Sequence, residues 1–68
     1  MKIFEQRLKE LREERSYAKT KVAKALGITE GAYRAYEDGR AEPKQEMLVK
    51  IAKYFGVSID YLLGEKDI

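Results

Sequence analysis

The chain has 68 residues, and a protein of this size can bury only about 60% of its extended surface, which suits one small domain and not two. It contains no cysteine and no histidine, which excludes disulfides, thiolate or imidazole metal sites and the usual nucleophile–base pairs of enzymes. The net charge is only +2, and the basic excess lies in residues 16–44, which contain six basic and four acidic residues. A site built from carboxylates alone stays open in principle, but we expect a non-enzymatic domain that needs no cofactor or metal.

Two helices are predicted in the first part of the chain. The first covers about residues 3–15, because apolar residues recur at spacings of four and three: Phe4, Leu8 and Leu11. The second covers about residues 18–26, with an inner face formed by Val22, Ala23 and Leu26. Gly27 follows where a helix end favours a left-handed residue. Tyr17, between the two helices, is expected in the core.

Three more helices are predicted in the remaining sequence. Thr29 is a good N-cap for a third helix that reaches about Asp38 and stops at Gly39, with an inner face of Ala32, Tyr33 and Tyr36. A wide apolar stripe predicts a fourth helix that ends at Gly56: Met47, Leu48, Ile51, Ala52 and Phe55. Ser58 would cap a short fifth helix that ends at Gly64. No window has the period-two alternation of a strand, so the expected fold is all-α.

A short helix, a glycine-centred turn and a second short helix have the spacing of a helix-turn-helix, at about residues 18–38. Five segments in order resemble the Xre or Cro/phage-repressor family: RLKELR at 7–12, VAKALGIT at 22–29, YEDGR at 36–40, EP at 42–43 and GVSIDYLLG at 56–64. The resemblance implies that residues 1–68 form a single compact, five-helix, lambda repressor-like domain. It also implies a cytoplasmic, sequence-specific regulator of transcription, of repressor type, that inserts the third helix into the major groove of double-stranded DNA. The sequence has neither a hydrophobic signal region nor an apolar run long enough to span a membrane, as expected for a cytoplasmic protein.

The family's motif assigns roles to individual residues of this chain. The resemblance implies base contacts at Glu30, Gly31, Arg34 and Ala35. It implies phosphate contacts at Lys19, Thr29, Asp38, Arg40 and Lys44. Lys19 and Asp38 stand where the family usually has glutamine and asparagine. Gly31 has no side chain and Ala35 has only a methyl group, so neither can form a hydrogen bond with a base through its side chain. Arg34 is therefore the strongest candidate for recognising a base. Because so few of these side chains can recognise bases, a second hypothesis stays open, in which the domain is a protein-interaction module such as an antitoxin or adaptor.

Two further expectations concern assembly. The resemblance implies a structural ion pair between Arg12 and Glu37 that ties the first helix to the third. The last helix carries more apolar residues than its packing needs, at Ile59, Tyr61 and Leu63, which predicts a homodimer that forms either free or only on a pseudo-palindromic operator. Whether the chain is a complete regulator or the DNA-binding part of a longer one stays open.

Overall fold

The computed structural model describes residues 2–67. Within them it has five helices: α1 (Lys2–Glu14), α2 (Lys19–Leu26), α3 (Glu30–Asp38), α4 (Gln45–Phe55) and α5 (Ile59–Leu62). No strand occurs in this range, so the predicted all-α, five-helix fold is confirmed. None of the helices between residues 2 and 67 is long and apolar enough to span a membrane.

One hydrophobic core lies among the helices, and all five contribute to it. Leu8, Val22, Tyr33, Ile51 and Leu62 have no exposed surface, which places one residue of each helix at the centre. The apolar spacings of α1, α2 and α4 therefore predicted the buried faces correctly. The remaining members of the core are Phe4, Leu11, Ala23, Leu26, Ala52 and Phe55.

The packing order of the helices leaves one side of α3 open. This helix lies against α1 and α2, whereas α4 packs on α2 and α5, and α5 returns to α1. The two helices beneath α3 thus act as its support, and α4 and α5 complete the core behind them.

The turn between α2 and α3 sets how steeply the two helices cross. Gly27 ends α2 with φ 75°, a left-handed conformation that a side chain would strain. Its N–H and that of Ile28 donate to the carbonyls of Lys24 and Ala23 at 3.1 and 3.0 Å. Thr29 then caps α3, with its hydroxyl accepting from the Ala32 N–H at 3.1 Å. The predicted cap and stop are both confirmed, and the turn is held from both ends.

Two expectations about the core are wrong. Ala32 was expected to face inward, but it is exposed. The inner face of α3 is set by Tyr33 and the residues three and four positions later, and Ala32 lies about 100° away from Tyr33 around the helix. Tyr17 was expected in the core but is only partly buried. It lies at the edge, 6.0 Å between ring centroids from Tyr54, with the Lys21 ammonium 5.0 Å from its own ring centre.

Candidate nucleic-acid interface

The outer face of α3 carries the residues that were predicted to contact bases. Gly31 and Arg34 are exposed, and Glu30 and Ala35 are partly exposed. All four belong to the same two turns of helix: Gly31 and Ala35 lie opposite the buried Tyr33, and Glu30 and Arg34 lie on the adjoining side of the helix. The helix therefore presents a continuous, mostly small-residue surface with one long cationic side chain.

Arg34 and Glu30 form an ion pair on this surface that was not predicted from the sequence. The Arg34 Nη2 donates to Glu30 Oε2 at 2.6 Å, and the two side chains are 50% and 40% exposed. The signal was present in the sequence, because a glutamate four residues before an arginine is the favourable arrangement on a helix. In solution such an exposed pair contributes little to stability.

The residues predicted to contact phosphate border α3 on both sides. Lys19 begins α2, Thr29 caps α3, and Lys44 precedes α4. Within residues 2–67 the side chains of Lys19 and Lys44 form no hydrogen bond or ion pair, so their charges are available to a partner. After α3, Arg40 Nη2 lies 3.3 Å from a carboxylate oxygen of Asp38 in an exposed pair.

Several other basic side chains are occupied inside the domain. Arg15 donates to the Phe55 carbonyl at 2.9 Å, and Lys50 donates to the Leu26 carbonyl at 3.2 Å. Each cation thus lies at the C-terminus of a helix, where the carbonyls lack partners and the dipole is negative. Sequence reasoning missed both roles, because the partners are 40 and 24 residues apart and no local pattern marks them.

Arg7 is a third basic residue with a structural role. Its guanidinium lies over the Tyr61 ring, 4.2 Å from the ring centre, and donates to the carbonyls of Tyr61 and Lys66. The distance to the Lys66 carbonyl is 2.6 Å. Arg7 therefore holds the segment after α5 against α1.

Arg12 and Glu37 are in direct contact, in the arrangement that was expected of them. Arg12 Nε and Nη2 donate to Glu37 Oε2 and Oε1 at 2.6 and 3.1 Å. Arg12 Nη1 also donates to the Tyr17 carbonyl at 3.0 Å, and the Tyr33 hydroxyl donates to Glu37 Oε2. The side chains of Arg12 and Glu37 are only 11% and 3% exposed. We call these three side chains, Arg12, Tyr33 and Glu37, the α1–α3 clamp.

The electrostatics of the clamp follow from its burial. The hydrogen bond to Glu37 raises the pKa of Arg12, against the opposing effect of burial. Burial, and then the hydrogen bond to Glu37, raises the pKa of the Tyr33 hydroxyl. Across the neutral range Arg12 therefore stays charged and the Tyr33 hydroxyl stays neutral, and both donate to Glu37.

The three residues predicted to mediate dimerisation differ in exposure. Ile59 and Tyr61 are partly buried against the core, whereas Leu63 is 37% exposed. Ile3 is 45% exposed and lies beside Gly64, where an added Cβ would be 2.9 Å from its Cγ2. Among residues 2–67, the large apolar side chains exposed at this end are therefore Ile3 and Leu63, and not the whole of α5.

Comparison with known proteins identifies the family. Residues 8–62 match the family described as helix-turn-helix, and the chain belongs to it, as the Xre and Cro/repressor-like resemblance predicted. No solved structure gave a significant match.

Several curated relatives have names that describe regulators. The chain is 43% identical over 61 residues to the SPbeta prophage-derived uncharacterized HTH-type transcriptional regulator YonR of Bacillus subtilis (strain 168), which is 90% of this chain and 56% of the relative. It is 35% identical over 65 residues to the cryptic phage CTXphi transcriptional repressor RstR of Vibrio cholerae, 96% of this chain and 59% of that protein. It is 41% identical over 66 residues to the uncharacterized HTH-type transcriptional regulator YqaE of Bacillus subtilis (strain 168), 96% and 57% respectively. The chain thus spans a little over half the length of these relatives.

Proposed function

We propose that this domain binds double-stranded DNA in a sequence-dependent way and regulates transcription, as a repressor of the phage type. The observation that carries the proposal is the two-sided character of α3. Its inner face is fixed by Tyr33 and Glu37, and its outer face presents Arg34 beside Gly31 and Ala35. A helix about 10–12 Å across with such an outer face fits the major groove.

Cations on both sides of α3 support this orientation. Lys19 lies before the turn, and Arg40 and Lys44 lie after the helix, so a groove that receives α3 would bring its two phosphate backbones towards them. The Thr29 cap would add backbone amides at the start of α3. Asp38 lies among the cations and would instead compete for Arg40.

The proposal includes where and with what the domain acts. Its partner is a pseudo-palindromic operator, its location is the cytoplasm at the nucleoid, and it carries out no chemical reaction and binds no cofactor. Names that contain "transcriptional regulator" or "repressor" among the relatives support this reading. These relatives are longer than this chain. The proposal that the domain regulates transcription therefore also covers a protein of the relatives' length.

The salt dependence of duplex binding tests the proposal. If Lys19, Arg40 and Lys44 each neutralise one phosphate, log K should fall against log salt with a slope of about −3 for one protomer and about −5 for two. A gel-shift titration of labelled duplex at several salt concentrations measures this slope. If no duplex is bound even at low salt, the proposal is wrong and the protein-interaction module becomes the better hypothesis.

We also propose that two copies associate through Ile3 and Leu63. Replacing Leu63 with serine should lower the oligomeric state on operator DNA and weaken binding to a two-half-site duplex more than to a half-site, because the two copies would no longer bind as a unit. Sedimentation and gel shifts with both duplexes measure this. Val49→Ser, at a partly buried position on α4, provides an apolar-to-polar control. A protein that stays monomeric on and off DNA would contradict the proposal.

A further inference from the structure

The ion pair on the outer face of α3 leaves most of its hydrogen-bonding capacity unused. Arg34 has five N–H donors, and one of them, on Nη2, is given to Glu30 Oε2. Its other donors have no partner among residues 2–67, and the side chain is 50% exposed. Glu30 retains Oε1 as an acceptor, since among residues 2–67 only Arg34 donates to its carboxylate. The pair therefore presents donors from the guanidinium next to an acceptor from the carboxylate.

This order of groups matches one base pair. In the major groove a G·C pair presents two acceptors on guanine, N7 and O6, followed by one donor on cytosine, N4. Arg34 can donate to both guanine acceptors, and Glu30 can accept from the cytosine amine. An A·T or T·A pair places a donor between acceptors, and C·G presents the reverse order. Each of these would leave a charged group without a partner.

Gly31 gives the second observation, because no contact among residues 2–67 explains it. A Cβ built at Gly31 meets none of their atoms within 4 Å, and its φ is not in the left-handed region that favours glycine. A glycine inside a helix is nonetheless less stable than alanine. The residue lies directly after Glu30 on the exposed surface, where it allows a partner to approach the helix backbone closely.

We propose that Glu30 and Arg34 act as one reading unit for a single G·C base pair, with Gly31 providing the clearance that lets the unit reach the base edges. This inference rests on the proposed DNA-binding function. It assigns to Glu30 a positive role in recognition, although a lone carboxylate near phosphates would oppose binding.

Selection from a random duplex pool, followed by substitution of each fixed base pair, tests this inference. The wild-type domain should select one G·C pair per half-site and bind at least about tenfold more weakly when that pair is changed to any of the other three. Arg34→Lys keeps the positive charge but loses the paired N–H donors of the guanidinium. The preference for G·C over the other base pairs should therefore fall to within about threefold, while the salt slope of binding stays unchanged. Glu30→Ala should reduce the discrimination several-fold and at the same time raise affinity for unrelated duplex, because a negative charge is removed.

A matched control separates recognition from general charge effects. Glu46→Ala removes an acidic residue from the first turn of α4, one position further into its helix than Glu30 is in α3. It should leave the discrimination unchanged. Gly31→Ala should raise the melting temperature by roughly 2–4 °C and weaken operator binding at least several-fold, because the new methyl group occupies the clearance.

The outcomes distinguish this inference from the function on which it rests. Salt-dependent duplex binding without a fixed G·C pair, or full discrimination retained in Glu30→Ala, would overturn the reading unit and leave DNA binding intact. Unchanged operator affinity in Gly31→Ala would contradict the proposal that Gly31 lets the DNA approach the α3 backbone closely. Failure to bind any duplex would overturn both proposals together.

Discussion

Replacing Glu37 with glutamine should lower the free energy of unfolding by about 3–5 kcal/mol, the range seen when one partner of a buried ion pair is removed. The carboxylate is 3% exposed and accepts from both Arg12 and Tyr33. A neutral amide leaves the buried Arg12 guanidinium without its counter-charge and turns one acceptor oxygen into a donor. The loss is large for a domain of this size, whose total stability is about 0.05–0.15 kcal/mol per residue. Urea denaturation followed by circular dichroism measures it.

A carboxylate on the surface provides the control for this prediction. Glu10→Gln makes the same chemical change at an exposed position of α1, where among residues 2–67 the carboxylate has one hydrogen bond, 3.4 Å long, from the Gln6 side chain. Its effect should stay within about 0.5 kcal/mol. If Glu37→Gln unfolded at the same urea concentration as Glu10→Gln, the clamp would contribute no stability and α3 would be held by its apolar contacts alone.

Reversing the charge of Arg40 should weaken duplex binding by roughly tenfold or more at low salt, whatever the DNA sequence. Arg40 follows α3 and is exposed, so Arg40→Glu removes a proposed phosphate contact and adds repulsion without disturbing the core. Because one counterion fewer is released, the salt slope should become shallower by about 1 per protomer. Fluorescence anisotropy with a labelled operator and an unrelated duplex measures both quantities.

Lys53→Glu is the matched control, because it changes the net charge by the same amount. Lys53 is exposed near the end of α4, a helix that packs on α2 and α5. A smaller loss for Lys53→Glu than for Arg40→Glu would locate the DNA near α3. Equal losses would instead mean that only the net charge matters, and the proposed orientation would be wrong.

The helices and their ends could be predicted from the sequence because the signals are local. Gly27, Gly39 and Gly56 each follow the last residue of a helix, and Thr29 and Ser58 each cap one. A period of 3.6 residues identified the buried faces of α1, α2 and α4 for the same reason. In α3 the period was harder to assign, since alanine is compatible with either face, and Ala32 was placed on the wrong one.

The candidate site could be predicted only in part. A family motif supplies positions, so the exposed face of α3 and the cations around it were expected. Apart from the Arg12–Glu37 pair, it does not supply contacts between distant residues, such as Arg15 with the Phe55 carbonyl or Lys50 with that of Leu26. These depend on how the helices pack, which no single stretch of sequence determines. They matter for function because they remove two cations from the set available to DNA.

The α1–α3 clamp has a consequence for how an operator would be chosen. Tyr33 and Glu37 lie one turn apart on α3, and the Glu37 carboxylate accepts hydrogen bonds from both the Tyr33 hydroxyl and Arg12. The helix therefore cannot rotate about its own axis without breaking buried hydrogen bonds. If α3 cannot change its orientation, the DNA duplex has to deform to fit it. Sequences whose base steps bend or untwist easily would then be preferred even where no side chain reaches a base, and the bases between two half-sites would affect affinity through their stiffness.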